Sequence, residues 1–202
     1  MRNPHAIILA LLLASPPAVV RAQAADPAIA PVSRLNDALL GVMKQAKQLD
    51  AKGRYAKLAP VLGQVFDLPT MTRFAVGSNW TGLSANDRTA LTRAFSRMTV
   101  ATYAHNFDSY NGQRFVIDKV ETRGPDKLVR TRLISTKETA NLTYRLRQSG
   151  GAWKVIDVYY NGAVSSLMGQ RSEYAATLRS GGAPALIKKL EAHADDLLAG
   201  RV

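Results

Sequence analysis

Apolar residues recur every three or four positions across residues 33–111, which predicts helices that each turn one face toward a core. A second helix is predicted from Tyr55 to Val65, and Pro60 should break or kink it because proline has no backbone N–H. Asp67 is the expected cap of a short third helix that ends near Gly77. The apolar face of the first helix is predicted on Val32, Leu35, Leu39, Val42, Ala46 and Leu49.

A long helix is predicted from Ser84, whose spacing to Asp87 resembles a capping box, to Tyr110. Its larger side chains fall on two roughly opposite arcs. One arc carries Leu91, Phe95, Met98, Thr102 and His105, and the other carries Val100, Tyr103, Phe107 and Tyr110. A helix that is apolar on two arcs must be covered on two sides, so it either crosses the middle of the domain or lines a cavity.

Alternating apolar and polar residues predict four strands between residues 113 and 160. Their sequences are RFVIDKVE, KLVRTRLIS, ANLTYRLRQ and WKVIDVYY, and short turns between them make neighbouring strands antiparallel. Residues 162–202 return to helix, with an interruption near Gly181-Gly182 and a restart at Pro184. This order predicts an α+β fold in which an antiparallel sheet of about four strands packs against several helices.

The first 24 residues have the pattern of a secretory signal peptide. Arg2 precedes an apolar run at residues 6–14, and Ala22-Gln23-Ala24 fits a small-x-small cleavage site. We expect cleavage after Ala24, an exported protein, and a single domain at residues 25–202 that begins with a loose arm up to about residue 32. A retained membrane anchor is the alternative, but the apolar run is too short to span a bilayer.

The amino-acid composition excludes several classes of catalytic and metal-binding site. The chain has no cysteine and three histidines, which excludes disulfide scaffolds, thiolate metal sites and cysteine nucleophiles. His105 and His193 alone make no convincing metal site. Cleavage after Ala24 removes Arg2 and Arg21 and no acid, which lowers the net charge from +12 to +10. That charge would suggest nucleic acid in a cytosolic protein, but export removes that partner and leaves anionic membrane surfaces, anionic ligands or acidic proteins. The composition therefore favours binding over catalysis.

Two stretches resemble a known family. They are FDLPTMTRFAVGSNWTGLSANDRTALTRAF, and WKVIDVYYNGAVSSLMGQRSEYAATLRSGG followed by ALIKKL. With the order of elements, they resemble the MlaC-type, toluene-tolerance family of exported lipid-binding proteins. The extra residue before Ser165 and the pair Arg171-Ser172 resemble the hopanoid-associated members, HpnM. Asn161 and Tyr174 depart from the Glu and Phe that are usual in the family.

This resemblance implies a periplasmic carrier that holds a phospholipid or a hopanoid by its hydrocarbon part, in an apolar pocket between a curved sheet and the helices. It implies as partners an inner-membrane transporter complex and an outer-membrane partner, and it implies neither a cofactor nor catalytic residues. The candidate lining residues are large apolar side chains, for each of which ordinary core is the more frequent role. They are Met71, Phe74, Trp80, Met98, Tyr103, Phe107, Phe115, Ile117, Val129, Leu142, Tyr144, Val155, Tyr159, Val164 and Leu167.

Asp157 lies in an apolar strand, on the face predicted to carry Trp153, Val155 and Tyr159. A buried carboxylate must be hydrogen-bonded or paired. A structural role is favoured, as the cap of a helix starting near Gly162 or as the partner of Arg171. The alternative is an enzyme in which Asp157 and His105 act as acid and base.

Arg130, Arg132, Arg145 and Arg147 alternate outward on two neighbouring strands. They are either an ordinary solvated face or a docking surface for anionic lipid headgroups or an acidic partner. A third interpretation of the whole chain is an interaction module that buries its apolar face against another protein.

Overall fold

The computed structural model describes residues 25–162 and 164–202. The predicted signal peptide and Ala163 lie outside these residues, as does the side chain of Val164. The helices are α1 (Ile29–Lys44), α2 (Ala51–Val65), α3 (Leu68–Val76), a 3-10 helix (Gly77–Gly82), α4 (Ala85–Asn106) and α5 (Ser166–Ala199). The strands are β1 (Arg114–Arg123), β2 (Asp126–Ile134), β3 (Thr139–Ser149), β4 (Ala152–Tyr160) and the short β5 (Val164–Ser165).

The five strands form one antiparallel sheet in the order β1-β2-β3-β4-β5. The four long strands confirm those predicted from alternation, and the predicted α+β class is confirmed. Val164 was expected to belong to a helix, but its backbone pairs with Tyr160 in β5, and α5 begins two residues later.

A bulge in β4 corrects the predicted facing of Asp157. Arg145 of β3 pairs with Asp157, whereas the next residue, Leu146, pairs with Val155, so Ile156 is an extra residue in β4. One extra residue reverses the alternation. Asp157 and Tyr159 therefore lie on the same face of the sheet as Arg145, opposite the face that carries Val155.

The predicted loose arm is wrong, since residues 25–32 are attached to the domain. Ala28 and Val32 are fully buried, and α1 already begins at Ile29. Asp26 accepts from Lys127 Nζ on β2 at 2.7 and 2.6 Å and from the backbone N–H of Ala28 at 2.9 Å. Burial of apolar groups and an ion pair fix this segment, and the abundance of Ala and Pro concealed both.

Helix α2 runs through Pro60 without interruption, contrary to the predicted break. It also begins earlier than predicted, after Asp50, whose side chain accepts from the backbone N–H of Gly53 at 2.7 Å. Buried Leu58 and Leu62 flank the proline and anchor the helix to the core. This packing outweighs the lost hydrogen bond.

Helix α4 begins as predicted, with Ser84 accepting from the backbone N–H of Asp87 at 3.0 Å, but it ends at Asn106 rather than Tyr110. It packs against α2, α3 and α5, which confirms a central helix. Helix α5 is bent at Gly182, where φ is 65° and ψ is −165°, as the Gly181-Gly182 pair predicted. The remaining face of α4 looks toward the sheet, and there the core is hollow.

Candidate functional site

A cavity of about 500 Å³ lies between α4, the start of α5 and the inner face of β3 and β4. Its interior is apolar and buried. Phe66, Phe95 and Tyr144 are at most 1% exposed, and Met71 and Met98 are at most 5% exposed. Such a volume and lining are typical of a site for a small apolar molecule.

A row of four aromatic rings begins in this interior, and the first three rings, those of Phe66, Tyr103 and Phe107, form one wall of the cavity. The ring centroids of Phe66 and Tyr103 are 5.5 Å apart, those of Tyr103 and Phe107 are 5.8 Å apart, and those of Phe107 and Phe115 are 6.3 Å apart. Burial raises the pKa of Tyr103, and raises that of Tyr144 well above its usual value, so both phenols stay neutral. The wall therefore offers rings and uncharged hydroxyls.

The mouth of the cavity is polar but almost uncharged. Exposed lining residues include Asn106, Ser109, Ser166 and Glu138, and Tyr160, 56% exposed, stands among them. Among the described lining residues Glu138 is the one charged side chain, and none is Lys, Arg or His. The cavity thus opens to solvent through a rim that would attract neither anions nor cations strongly.

One polar atom inside the cavity has no partner. Gln170 on α5 lines the cavity, and its buried Oε1 accepts no hydrogen bond from the described residues. Leaving a buried acceptor unpaired is unfavourable by about 1–3 kcal/mol. Gln170 can therefore accept a hydrogen bond from a hydroxyl or amine of a bound molecule.

The structure brings seven of the predicted lining residues to this cavity: Met71, Met98, Tyr103, Phe107, Leu142, Tyr144 and Leu167. Four others line neither this cavity nor the second pocket described below: Phe115, Ile117, Val129 and Val155. Val129 and Val155 are fully buried core, and Phe115 and Ile117 pack against that core. The side chain of Val164 lies outside the described residues.

Sequence reasoning missed several lining residues of two kinds. Phe95 is large and apolar and lies on the same arc of α4 as Met98, so its helical register could have identified it. Phe66 follows the last residue of α2 and pairs with Val155 of β4, a contact that periodicity does not predict. The rim residues Asn106, Ser109 and Gln113 carry no apolar signal, because they lie where α4 ends four residues earlier than predicted.

A second pocket of about 760 Å³ holds the three remaining candidates, Phe74, Trp80 and Tyr159. It lies at the outer face of β4, between α3, the 3-10 helix and the first turn of α5. Leu167 lines both pockets. In contrast to the cavity, this pocket is lined by charged residues, namely Arg73, Arg145, Asp157 and Arg171.

Asp157, 7% exposed, supports the start of α5. Its Oδ2 accepts from Ser165 Oγ at 2.6 Å, and its Oδ1 accepts from the backbone N–H of Val158 at 2.8 Å. Ser165 Oγ in turn accepts from the backbone N–H of Met168 at 3.1 Å and caps the helix. The aspartate thus acts on the cap through Ser165, and no ion pair to Arg171 occurs in the described part of the chain.

The proposed acid–base pair is not assembled. His105 lines neither the cavity nor the second pocket, and neither oxygen of Asp157 accepts from it. Within the described residues, no three His, Asp or Glu side chains cluster as metal ligands.

The four outward arginines are all paired with carboxylates. Arg130 bonds Glu121 at 3.1 Å and Arg132 bonds Asp118 at 2.7 Å. Arg145 and Arg147 share Asp126, at 2.5 Å each. The face is therefore less positive than the alternation of arginines suggested, because three acids on β1 and β2 reduce its charge. Its use as a docking surface stays a prediction.

No helix in the described part of the chain has both the length and the apolar character needed to cross a membrane.

Comparison with known proteins gives one family and one fold. The family described as MlaC protein matches residues 33–192. A solved structure of a phospholipid-binding protein from Ralstonia solanacearum, in complex with a phospholipid, superposes with a TM-score of 0.75 at 18% sequence identity. The match covers 86% of this chain and 99% of that one. No curated protein matches the chain.

Proposed function

The chain belongs to the MlaC family, and from that premise we propose that it is a lipid carrier that holds the hydrocarbon part of a lipid in the cavity between α4 and the sheet. The observation that carries the proposal is the hollow itself. About 500 Å³ of space is lined by buried apolar side chains where a solid core would otherwise be.

The energetics of lipid transfer explain why such a hollow is useful. Exposing hydrocarbon to water is unfavourable by about 0.8 kcal/mol per methylene, or over about 20 kcal/mol for two chains with about 30 methylenes. An apolar cavity removes this barrier without binding more tightly than a bilayer does. Near-equal affinity permits both loading and release, and a cavity with a single charged residue at its rim suits that balance.

The finer parts of the proposal rest on the sequence. Residues 1–24 have a signal-peptide pattern with expected cleavage after Ala24, which supports a periplasmic location. We propose that the carrier moves lipid between an inner-membrane transporter complex and an outer-membrane partner. The cargo is a phospholipid or a hopanoid. Similarity to the HpnM members favours a hopanoid as the cargo, whereas the phospholipid bound to the Ralstonia solanacearum protein favours a phospholipid.

Filling the cavity tests the proposal. Ala140 of β3 lines the cavity, so Ala140→Trp places an indole ring inside it. Excluding two methylenes from the site lowers affinity about tenfold at about 0.8 kcal/mol each. Uptake of a labelled phospholipid or hopanoid from vesicles by the delipidated protein should fall by at least that factor.

The neighbouring residue supplies the matched control. Asn141 is exposed and points to the opposite face of the same strand, so Asn141→Trp adds the same ring outside the cavity. This variant should take up lipid like the original protein. Equal uptake by Ala140→Trp and the original protein, with both folded by circular dichroism, would contradict the proposal.

A pocket enzyme is the alternative function, and the separation of Asp157 from His105 weighs against the acid–base pair on which it rested. Turnover of a lipid ester by the purified protein, lost in Asp157→Asn, would restore it.

A further inference from the structure

The second pocket has the chemistry of an anion site. Arg73, Arg145 and Arg171 line it beside the aromatic rings of Phe74 and Trp80. A guanidinium group presents N–H donors in a planar fork that fits phosphate or carboxylate oxygens. Asp157 is the one carboxylate among its described lining residues, and both of its oxygens already accept hydrogen bonds.

Two of these arginines have no carboxylate partner. Arg145 pairs with Asp126, but Arg73 and Arg171 form no ion pair in the described part of the chain, and the sequence has no acidic residue outside that part. The Arg73 guanidinium lies 5.7 Å from the centroid of the Phe74 ring. Three guanidinium groups therefore line the pocket beside one carboxylate, Asp157, and this excess of positive charge suits an anion from elsewhere.

The side chain of Arg171 lies directly against the backbone of Gly77. The guanidinium lies so close to this glycine that a Cβ there would be 2.8 Å from Arg171 Cζ. Gly77 also has a φ of 68°, which side-chain-bearing residues rarely adopt. The exposed Arg171 side chain can lie against the pocket wall at this point because residue 77 has no Cβ.

The pocket adjoins the lipid cavity. Leu167 lines both, and residues 165–168 of the first turn of α5 contribute to both walls. The helix start also directs its partial positive charge toward this corner. The described lining of the cavity itself has no cationic side chain. The arginines of the second pocket are therefore the groups that could neutralise an anionic group attached to a hydrocarbon chain in the cavity.

We propose that the pocket formed by Arg73, Arg145 and Arg171 binds a phosphate ester. Its volume of about 760 Å³ accommodates a phosphate together with a polar substituent. The phosphate belongs either to the headgroup of a lipid whose chains occupy the cavity, which rests on the proposed carrier function, or to a free soluble ester.

A soluble probe tests the site without a lipid. Trp80 lines the pocket, and Trp153→Phe removes the one other tryptophan, so the fluorescence of Trp80 reports on binding. Titration of delipidated Trp153→Phe protein with glycerol phosphate should give a saturable change. Adding Arg73→Gln and Arg171→Gln should weaken this binding about tenfold or more, because charge-assisted hydrogen bonds are the strong ones.

A vesicle experiment identifies the source of the phosphate. The double arginine variant, with both native tryptophans, is offered vesicles containing labelled phosphatidylglycerol or labelled diacylglycerol. A fall of about tenfold in phosphatidylglycerol uptake, with diacylglycerol uptake unchanged, assigns the site to the headgroup. Unchanged uptake of both lipids, with glycerol phosphate binding lost, assigns the site to a free ester.

Arg179→Gln is the matched control, because Arg179 is exposed on the same helix as Arg171 and lines none of the described pockets. The proposal is overturned if Arg179→Gln has the same effect as Arg171→Gln. It is also overturned if neither glycerol phosphate binding nor phosphatidylglycerol uptake responds to the double variant. If the original protein takes up neither lipid, the carrier function fails, and the glycerol phosphate titration still decides this site.

Discussion

The cavity and the second pocket share a wall and differ in charge. Strands β3 and β4 serve both, because alternate residues point to opposite faces. Tyr144 and Val158 line the cavity, while their neighbours Arg145 and Asp157 line the pocket outside. The bulge at Ile156 sets this division in β4. The same stretch of sheet therefore lines an apolar cavity on one face and a cationic pocket on the other.

The largest expected effect comes from placing a charge in the wall of the cavity, which would then be charged like the second pocket. Leu142→Glu places a carboxylate on the inner face of β3, in the wall of the cavity. A charge removed from water without a partner is strongly unfavourable, so a bound hydrocarbon chain that desolvates it should be rejected. Lipid uptake from vesicles is expected to fall more than about tenfold.

Leu142→Gln serves as the uncharged control and should retain more uptake than Leu142→Glu at neutral pH. Equal lipid uptake by the two variants would show that charge in the cavity wall does not decide binding. The difference in charge between the two pockets would then not explain what each one binds.

Low pH should reduce the stability of the fold and leave lipid binding in the cavity little changed. Hydrogen bonds from Arg130 and Lys119 lower the pKa of Glu121 from 4.5 to about 2, and a hydrogen bond from Lys127 lowers that of Asp26. A carboxylate with a lowered pKa in the folded state stabilises the protein above its unfolded-state pKa and loses this contribution as the pH falls through the folded-state pKa. The free energy of unfolding should therefore decrease between about pH 4.5 and pH 2.

Urea unfolding across this pH window measures the effect. Glu121→Gln should flatten the decrease, whereas Glu138→Gln, at the rim of the cavity and outside any ion pair in the described residues, should leave it unchanged. An unaltered slope in Glu121→Gln would show that these ion pairs do not govern acid stability. Lipid uptake by protein that remains folded should vary little with pH.

The sequence predicted the long helices and strands better than it predicted the interruptions and the attachment of the N-terminal segment. Periodicity predicted the four long strands and the central α4, because burial imposes a repeat of two on a strand and of 3.6 on a helix. Residue type was the misleading signal at Pro60, where packing of Leu58 and Leu62 sustains the helix. It misled again at the Ala- and Pro-rich residues 25–32, where an ion pair from Asp26 to Lys127 fixes the chain. Contacts between distant residues decide such cases.

The site was only partly predictable, for a related reason. Large apolar residues such as Met98 and Tyr103 could be identified as inside, but whether they face a hollow or a solid core depends on backbone spacing. Val129 and Val155 have the same character and fill the core. The second pocket depended on a bulge that reversed the facing of Asp157 and Tyr159, which no simple alternation predicts.

A substitution at Gly77 tests the packing of the second pocket, the cationic one of the two. Gly77→Ala adds a methyl group against Arg171 at a backbone conformation that favours glycine, and it should lower the free energy of unfolding by about 2 kcal/mol. Gly63→Ala in α2 is the control, since a Cβ there meets nothing within 4 Å. The control should raise stability by about 0.5 kcal/mol through helix propensity. Denaturant unfolding that shows no difference between the two variants would argue against the close packing of Arg171.

The smallest expected effect concerns the outer face of the sheet. Its four arginines are already paired, and exposed ion pairs contribute little, so removing charge from this face should slow transfer to anionic vesicles only about twofold at low salt. The substitutions to serine are made at Arg130, Arg132 and Arg147, and Arg145 is kept because it also lines the second pocket. A control with the same loss of charge replaces the exposed residues Lys47, Lys52 and Lys188. A transfer rate unchanged at low salt would exclude this face as the docking surface.

The central claim is that the space beneath α4 is occupied by hydrocarbon in the living cell. Native mass spectrometry of the protein purified from the cells that produce it, followed by solvent extraction, tests this claim most directly. We expect a protein mass increased by that of a lipid, the recovery of that lipid in the extract, and its loss in Ala140→Trp. A protein that carries no lipid from the cell and takes up none from vesicles would contradict the account.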